Sequence, residues 1–222
     1  TPTRRQRQMC IRDSKKNSDS TPTGTCLILI TPDSERTMCT FLGIAGKIND
    51  KDVDANLIKS AEITFLEGYL WDEGEPKKAF DKAILNSNKV AMSLSDLFCV
   101  ERHKAQFLEL VKNKLDIIFA NEQEILSLIE SDKFDEAVTF LKNLNKNIVI
   151  TRGEKGAIAI NKGEIEECAA EKNLNIADLT GAGDLFAAGY LHGIINNLTT
   201  KESLIKGTEL SSKIIQKIGA RI

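Results

Sequence analysis

From Asp50 onward, short apolar runs of strand character alternate with longer segments whose apolar residues recur at helical spacing. The runs predict strands, and they cover residues 61–67, 89–94, 114–120 and 147–151. Strands and helices in alternation are joined by right-handed crossovers, which produce a mostly parallel sheet with helices on both faces. The alternation therefore predicts an α/β fold with three layers, helix, sheet and helix.

A β-hairpin is predicted before this alternation. Two β-type runs cover residues 26–30 and 37–42, and Pro32, Asp33 and Ser34 lie between them. Turn-forming residues between two apolar runs are typical of a hairpin. We place this hairpin at about 22–46 and the α/β core at about 47–222.

Composition limits the class of protein. The chain has 222 residues, of which 41% are hydrophobic, and no run of about 18 apolar residues predicts a membrane span. A formal charge of -2 with scattered lysines offers no basic face for nucleic acid. The five cysteines show no C-x-x-C spacing, so reduced thiols and a cytoplasmic location are predicted.

The first residues differ in character from the rest of the chain. Residues 4–14, RRQRQMCIRDS, resemble a translated adapter from a sequencing library. We therefore treat residues 1–15 as a non-native leader, with a disordered basic tail as the alternative. If the leader is non-native, the natural N-terminus is missing and residues 16–222 are a partial domain.

The strongest functional signal lies in residues 178–193, DLTGAGDLFAAGYLHG. Gly181, Ala182 and Gly183 precede Asp184, which opens a helix predicted at 184–198. The first amides of a helix lack partners, and the helix dipole favours an anion there. Glycines also let the backbone approach a phosphoryl group closely. A carboxylate beside such a phosphate cradle suits phosphoryl transfer to an alcohol.

Two other interpretations of this segment stay open at this point. A glycine turn followed by an acid in the first helical turn is also common where no ligand binds. A dinucleotide-binding fingerprint, and with it an NAD-linked oxidoreductase, would need a third glycine where Phe186 stands and a clean strand before Gly181.

Residues 178–186, DLTGAGDLF, resemble the C-terminal signature of the PfkB or ribokinase-like family, which are ATP-dependent kinases of sugars and nucleosides. The resemblance implies a ribokinase-like αβα fold with a mostly parallel central sheet and a small β lid, formed by the hairpin. It implies that Asp184 is the base for the acceptor hydroxyl. The resemblance also implies that Gly181, Ala182 and Gly183 form the anion hole. It implies that Asp178 and Thr180 bind the cofactor. Leu179 departs from the small or hydroxylated residue more often found at its position.

Two further motifs match this family. Asn121-Glu122-Gln123-Glu124 resembles its N-x-x-E motif, which implies that Asn121 and Glu124 act on Mg²⁺ and phosphate. The same letters also predict an N-cap with a capping box. Thr151, Gly153 and Gly156 resemble the turn beside the nucleotide phosphates. The implied cofactors are ATP and Mg²⁺.

Ligands in open α/β sheets lie beyond the carboxyl ends of the strands. Polar residues directly follow three of the predicted strands. They are Ser95 and Asp96 after the strand at 89–94, residues 121–124 after the strand at 114–120, and residues 151–156 at the end of the strand at 147–151. We expect them to share one rim with residues 181–184. His103, which stands beside Glu101, Arg102 and Lys104, is expected on a solvated helix surface instead.

Two short stretches resemble adenosine-kinase-type members of the family, and they are residues 23–26 (TGTC) and 94–98 (LSDLF). The implied partner is a small-molecule nucleoside or sugar, bound by a monomer or homodimer. A fructokinase- or ribokinase-type sugar kinase is the alternative within the family. The alternative outside catalysis is a truncated fragment that binds nucleotide without catalytic activity.

Overall fold

The computed structural model of the chain describes residues 20–32 and 36–222. The leader predicted at 1–15 and part of the hairpin connection lie outside these residues. The strands are β1 (Thr23–Ile30), β2 (Arg36–Gly43), β3 (Thr64–Glu67), β4 (Val90–Ser93), β5 (Ile117–Asn121), β6 (Asn147–Thr151), β7 (Ala157–Asn161) and β8 (Glu164–Cys168). The helices are α1 (Ala55–Ser60), α2 (Glu75–Asn86), α3 (Leu97–Arg102), α4 (Lys104–Asn113), α5 (Glu122–Ile129), α6 (Phe134–Lys142), α7 (Ala182–Ile195) and α8 (Thr200–Ile214).

The described residues form a six-stranded sheet in the order β3-β4-β5-β6-β7-β8. Strands β3 to β6 run parallel, whereas β7 and β8 are antiparallel additions at one edge. The β5 strand begins at Ile117, three residues later than predicted, because Lys114 ends α4 and the Asp116 carboxylate accepts a hydrogen bond from the Val90 amide. The mostly parallel sheet is confirmed.

Helices cover both faces of this sheet. On one face, Phe107, Ile118 and Leu141 belong to a buried cluster with residues of α2 to α6. On the other face, Phe119 and Tyr190 pack with residues of α7 and α8. Adjacent residues of β5 point to opposite clusters, as the pleat of a strand requires. The predicted three-layer architecture is therefore confirmed.

The hairpin forms a separate two-stranded sheet. Strands β1 and β2 are antiparallel, with a register that runs from Thr23 opposite Gly43 to Ile30 opposite Arg36. Gly43 ends β2 with a positive φ of 56°, and a short 3-10 turn over Ile44–Lys47 follows. A small β-sheet outside the central sheet was predicted and is confirmed, while its action as a lid stays a prediction.

Two sequence-based expectations concern membranes and thiols. In the described part of the chain, no helix has the length and apolar character needed to cross a bilayer. The cysteines that the structure describes, at 26, 39, 99 and 168, are free thiols. Burial raises the pKa of the half-buried Cys99 thiol to about 12, so this thiol stays protonated.

The prediction for His103 is wrong, because this residue is only 7% exposed. Its ring packs against Trp71 and Phe107, with centroid separations of 4.6 and 5.8 Å. His103 lies at the break between α3 and α4, and this break turns it inward although Glu101 and Arg102 stay exposed. The charged neighbours on which the prediction rested do not report this break.

This burial predicts a pH-dependent stability. Burial lowers the pKa of His103, and the carboxylate of Asp72 opposes the shift only in part. The unfolded chain therefore binds this proton more readily than the folded chain, so stability falls as pH drops below about 6.5. We expect His103→Gln to make the fall shallower, by at most about 1.4 kcal/mol per pH unit, the limit for one proton.

Urea unfolding of both proteins between about pH 5 and pH 8 measures this difference. Other titrating groups contribute equally to both proteins and cancel in the comparison. His192→Gln is the control, because that histidine is exposed on α7 and should leave the slope unchanged. Parallel curves for wild type and His103→Gln would contradict the prediction.

Candidate active site

The carboxyl ends of the parallel strands meet at one edge of the sheet. Glu67 and Ser93 end β3 and β4 opposite each other, and Asn121 and Thr151 do the same for β5 and β6. The charge of Asp184 acts on Glu67, so the start of α7 lies at this edge as well. The ends of β3 to β6 therefore form one rim, and the charge coupling to Glu67 puts Asp184 near its β3 end, at the position where open α/β sheets bind their ligands.

The start of α7 offers unpaired amide groups. Gly181 precedes the helix with a φ of 82°, and a Cβ there would lie 3.0 Å from the Cβ of Ala220. The amides of Gly183 and Asp184 donate to no acceptor within the described residues. Outside its own helix, nothing lies within 4 Å of a Cβ built on Gly183. This arrangement is an open cradle for an anion.

Asp184 is the third residue of α7, since the helix begins two residues earlier than predicted. Its carboxylate is exposed and makes no hydrogen bond or ion pair within the described residues. A carboxylate in this position is free to accept a proton from a bound hydroxyl group.

Glu67 is a site residue that the sequence analysis missed. Burial raises its pKa to about 7, the nearby charge of Asp184 adds to the rise, and a hydrogen bond from the Ser95 hydroxyl (3.4 Å) opposes it. Glu67 therefore titrates near neutral pH beside the predicted base. The signal was present, because Glu67 is the last residue of the strand predicted at 61–67.

Ser95 and Asp96 lie on the rim, but both organise the local backbone. Ser95 has a φ of 77°, its hydroxyl accepts from the Tyr69 amide at 3.1 Å, and its carbonyl accepts from the Tyr69 hydroxyl at 3.2 Å. Asp96 caps α3 by accepting from the Cys99 amide at 2.7 Å. These bonds lock the end of β4 to the end of β3 beside Glu67.

Asn121 and Glu124 form the capping box at the start of α5. The Asn121 side chain accepts from the Glu124 amide at 2.8 Å, and the Glu124 carboxylate accepts from the Asn121 amide and side chain at 3.0 and 2.6 Å. Burial raises the pKa of Glu124 to about 7, although the bond from the Asn121 amide opposes the rise. The capping alternative is confirmed, and the metal role stays a prediction.

The predicted nucleotide turn connects β6 to β7. Gly153 and Gly156 have φ values of 56° and 88°, and the Arg152 amide donates to the Gly156 carbonyl at 2.8 Å. A Cβ on Gly156 would lie 2.0 Å from the Cys168 carbonyl oxygen. Thr151 sits beside Asn121 in the register of the sheet, so the turn and the capping box are neighbours.

Asp178 shapes the turn before α7. Its two carboxylate oxygens accept from the amides of Thr180 and Gly219, both at 2.8 Å. Burial would raise the pKa of Asp178, but its interactions with Thr180 and Gly219 outweigh burial and hold the pKa below its usual range. The Thr180 hydroxyl is buried without a hydrogen-bond partner in the described chain. Cofactor binding by Asp178 and Thr180 stays a prediction.

The arrangement before Gly181 differs from a dinucleotide-binding fold. Residues 169–180, all of which the structure describes, contain no strand. In the dinucleotide fingerprint a strand leads directly into the glycine turn. The NAD-linked alternative therefore lacks its structural context.

Comparison with known proteins agrees with this geometry. The family model of the pfkB family carbohydrate kinases matches residues 11–222. Adenosine kinase from Schizosaccharomyces pombe is 26% identical over 91% of this chain and 66% of its own length. The crystal structure of adenosine kinase from Sinorhizobium meliloti superposes with a TM-score of 0.89 and 36% identity, covering 93% of this chain and 65% of that one.

A cytidine kinase from Thermococcus kodakarensis is 30% identical over 61% of this chain and 50% of its own length. The chain thus spans about two thirds of the length of both adenosine kinases. The family match extends over nearly the whole chain and includes the rim and the cradle before Asp184. On these grounds the chain belongs to the pfkB family of carbohydrate kinases.

Proposed function

We propose that this chain transfers the γ-phosphoryl group of ATP to a hydroxyl group of a nucleoside, adenosine-like, or of a sugar. One observation carries the proposal. The free amides of Gly183 and Asp184 and the unpaired Asp184 carboxylate lie together at the carboxyl edge of the sheet. The family membership supports the reaction class.

In the proposed reaction, the acceptor oxygen attacks the γ-phosphorus, and the bond from that phosphorus to the oxygen retained by ADP breaks. The hydroxyl proton passes to the Asp184 carboxylate. Gly181 gives the turn its shape. The Gly183 and Asp184 amides donate hydrogen bonds to the oxygens of the transferring phosphoryl group and stabilise their negative charge during the transfer. Positioning and charge stabilisation contribute most of the rate, while proton removal contributes about 10²- to 10⁴-fold.

Mg²⁺, when bound, would neutralise part of the charge on the triphosphate of ATP. We assign Asn121 and Glu124 to hold it, through bound water, because the Glu124 carboxylate is buried and already accepts two hydrogen bonds. The described residues contain no cluster of three or more His, Cys, Asp or Glu side chains that could hold a metal. This fits Mg²⁺, which keeps several waters and relies on phosphates with one or two carboxylates.

Adenosine-like acceptors are proposed ahead of sugars because residues 23–26 and 94–98 resemble the adenosine-kinase branch. Both adenosine kinases cover more than nine tenths of this chain. A probable sugar kinase from Rhizobium etli is also 36% identical over 93% of the chain, so identity by itself does not separate the two acceptor classes. A small-molecule acceptor, a monomeric or homodimeric state and a cytoplasmic location remain predictions.

The test is a phosphorylation screen with ATP and Mg²⁺ against adenosine, guanosine, inosine, ribose and fructose, alongside direct measurement of ATP binding. We expect adenosine to have the highest kcat/KM. Phosphorylation of sugars alone would favour the sugar-kinase alternative. ATP binding without any phosphorylation would favour the non-catalytic alternative, and failure to bind ATP would overturn the proposal.

A further inference from the structure

We propose that Glu122 and Arg152 are a pair of positioning residues that hold the 151–156 turn in the shape that the nucleotide uses. The inference rests on the proposed function, since it takes this turn to contact ATP. Neither residue was assigned a role by its sequence pattern.

The pair bridges the ends of two neighbouring strands. Glu122 is the first residue of α5, directly after β5, and Arg152 directly follows β6. The Arg152 Nε donates to the Glu122 Oε2 at 2.9 Å. Because β5 and β6 end side by side, this bond connects the N-x-x-E helix to the nucleotide turn.

A third element fixes the Arg152 guanidinium. Its Cζ lies 4.0 Å from the centroid of the Phe134 ring at the start of α6. A planar guanidinium can stack on an aromatic ring and donate in its own plane at the same time, which a lysine ammonium cannot do. Arg152 is therefore held from two sides. The Lys155 Nζ, 3.3 Å from Glu122 Oε1, adds an exposed partner.

The environment of the pair differs from that of the other ion pairs in the described chain. Its side chains are 22% and 23% exposed, whereas those of Lys133 and Glu136 are 74% and 62% exposed. Partial burial reduces screening by salt. The hydrogen bond from Arg152 holds the pKa of Glu122 below its usual range, so the pair stays charged at neutral pH.

Three backbone hydrogen bonds close the turn, and the anchor adds a side-chain connection from it to the neighbouring strand end. Two of the five residues after β6 are glycines with positive φ, and glycine has the largest conformational freedom of any residue. Without the anchor the turn samples more conformations, and binding must then order it at a cost in affinity. The loss should therefore affect ATP binding and leave the chemical step unchanged.

The test uses two substitutions that conserve charge, Glu122→Asp and Arg152→Lys. Neither alters the net attraction of the turn for a triphosphate, so a change in affinity reports geometry alone. We expect the Kd and the KM for ATP with Mg²⁺ to rise about five- to tenfold, with kcat and the acceptor KM within about twofold. The matched control is Glu136→Asp, which shortens the carboxylate side chain of the exposed pair with Lys133 and should leave both the Kd and the KM for ATP unchanged.

Wild-type affinity for ATP in both variants would overturn this inference alone. A wild-type chain that does not bind ATP would overturn the proposed function and this inference together. Circular dichroism checks folding, and Phe134→Leu replaces any variant that does not fold, because it removes the stacked ring and keeps an apolar side chain. For that variant we expect a rise in Kd of about two- to threefold, and no rise would overturn the inference.

Discussion

Asp184→Asn lowers kcat by at least about 10²-fold while ATP affinity stays within about threefold of wild type, if Asp184 is the general base. Asparagine has nearly the same size and keeps the helix start, but its amide cannot accept the proton of the acceptor hydroxyl. Steady-state kinetics with ATP and the best acceptor, together with equilibrium ATP binding, separate the two effects.

The matched control is Asp135→Asn. Asp135 is also an exposed acid in the first turn of a helix, α6, and plays no part in the proposed reaction. A kcat for Asp184→Asn equal to that of the control would contradict the assignment. A second readout is the pKa of Glu67, which should fall in Asp184→Asn, because the charge of Asp184 contributes to its raised value.

Gly156→Ala lowers the free energy of unfolding by about 3 kcal/mol or more, because two penalties act on one residue. The φ of 88° with ψ of -137° is a conformation that side chains rarely adopt. The new methyl group would also lie 2.0 Å from the Cys168 carbonyl oxygen, so β8 must move away from the turn. Urea denaturation followed by circular dichroism measures the loss.

Gly153→Ala is the control within the same turn. Gly153 also has a positive φ, 56°, but nothing lies within 4 Å of its Cβ position. Its cost is the conformational penalty alone, about 1 kcal/mol. Equal losses of unfolding free energy for the two variants would show that the contact with β8 adds nothing to the conformational penalty, and would contradict the prediction.

The ribokinase-like fold could be predicted because its signals are local. Apolar runs and helical spacing depend on neighbouring residues, so the four parallel strands were found with errors only at their ends. The glycine turn and the acid that follows it, residues 181–184, are consecutive in the sequence, so their combination could be recognised without a structure. The capping box of Asn121 and Glu124 could also be predicted from the four residues 121–124. The same four residues fit a metal site, so the sequence did not decide between the two roles.

The contacts that complete the candidate site join residues far apart in the chain, and periodicity does not report them. Packing alone brings Glu67 within range of the charge of Asp184 and pairs Glu122 with Arg152. It also directs the two Asp178 oxygens to the amides of Thr180 and Gly219. His103 was assigned to the surface because its neighbours are charged, and only the break between α3 and α4 turns it inward.

The sequence by itself thus determined the α/β architecture, the glycine turn before Asp184 and the reaction class that its family implies. The tertiary structure alone decided which carboxylates are buried, which influence one another's pKa and which anchor a turn. The physical reason is that turn chemistry and hydrophobic periodicity act over a few residues, whereas desolvation and charge coupling depend on how distant elements pack.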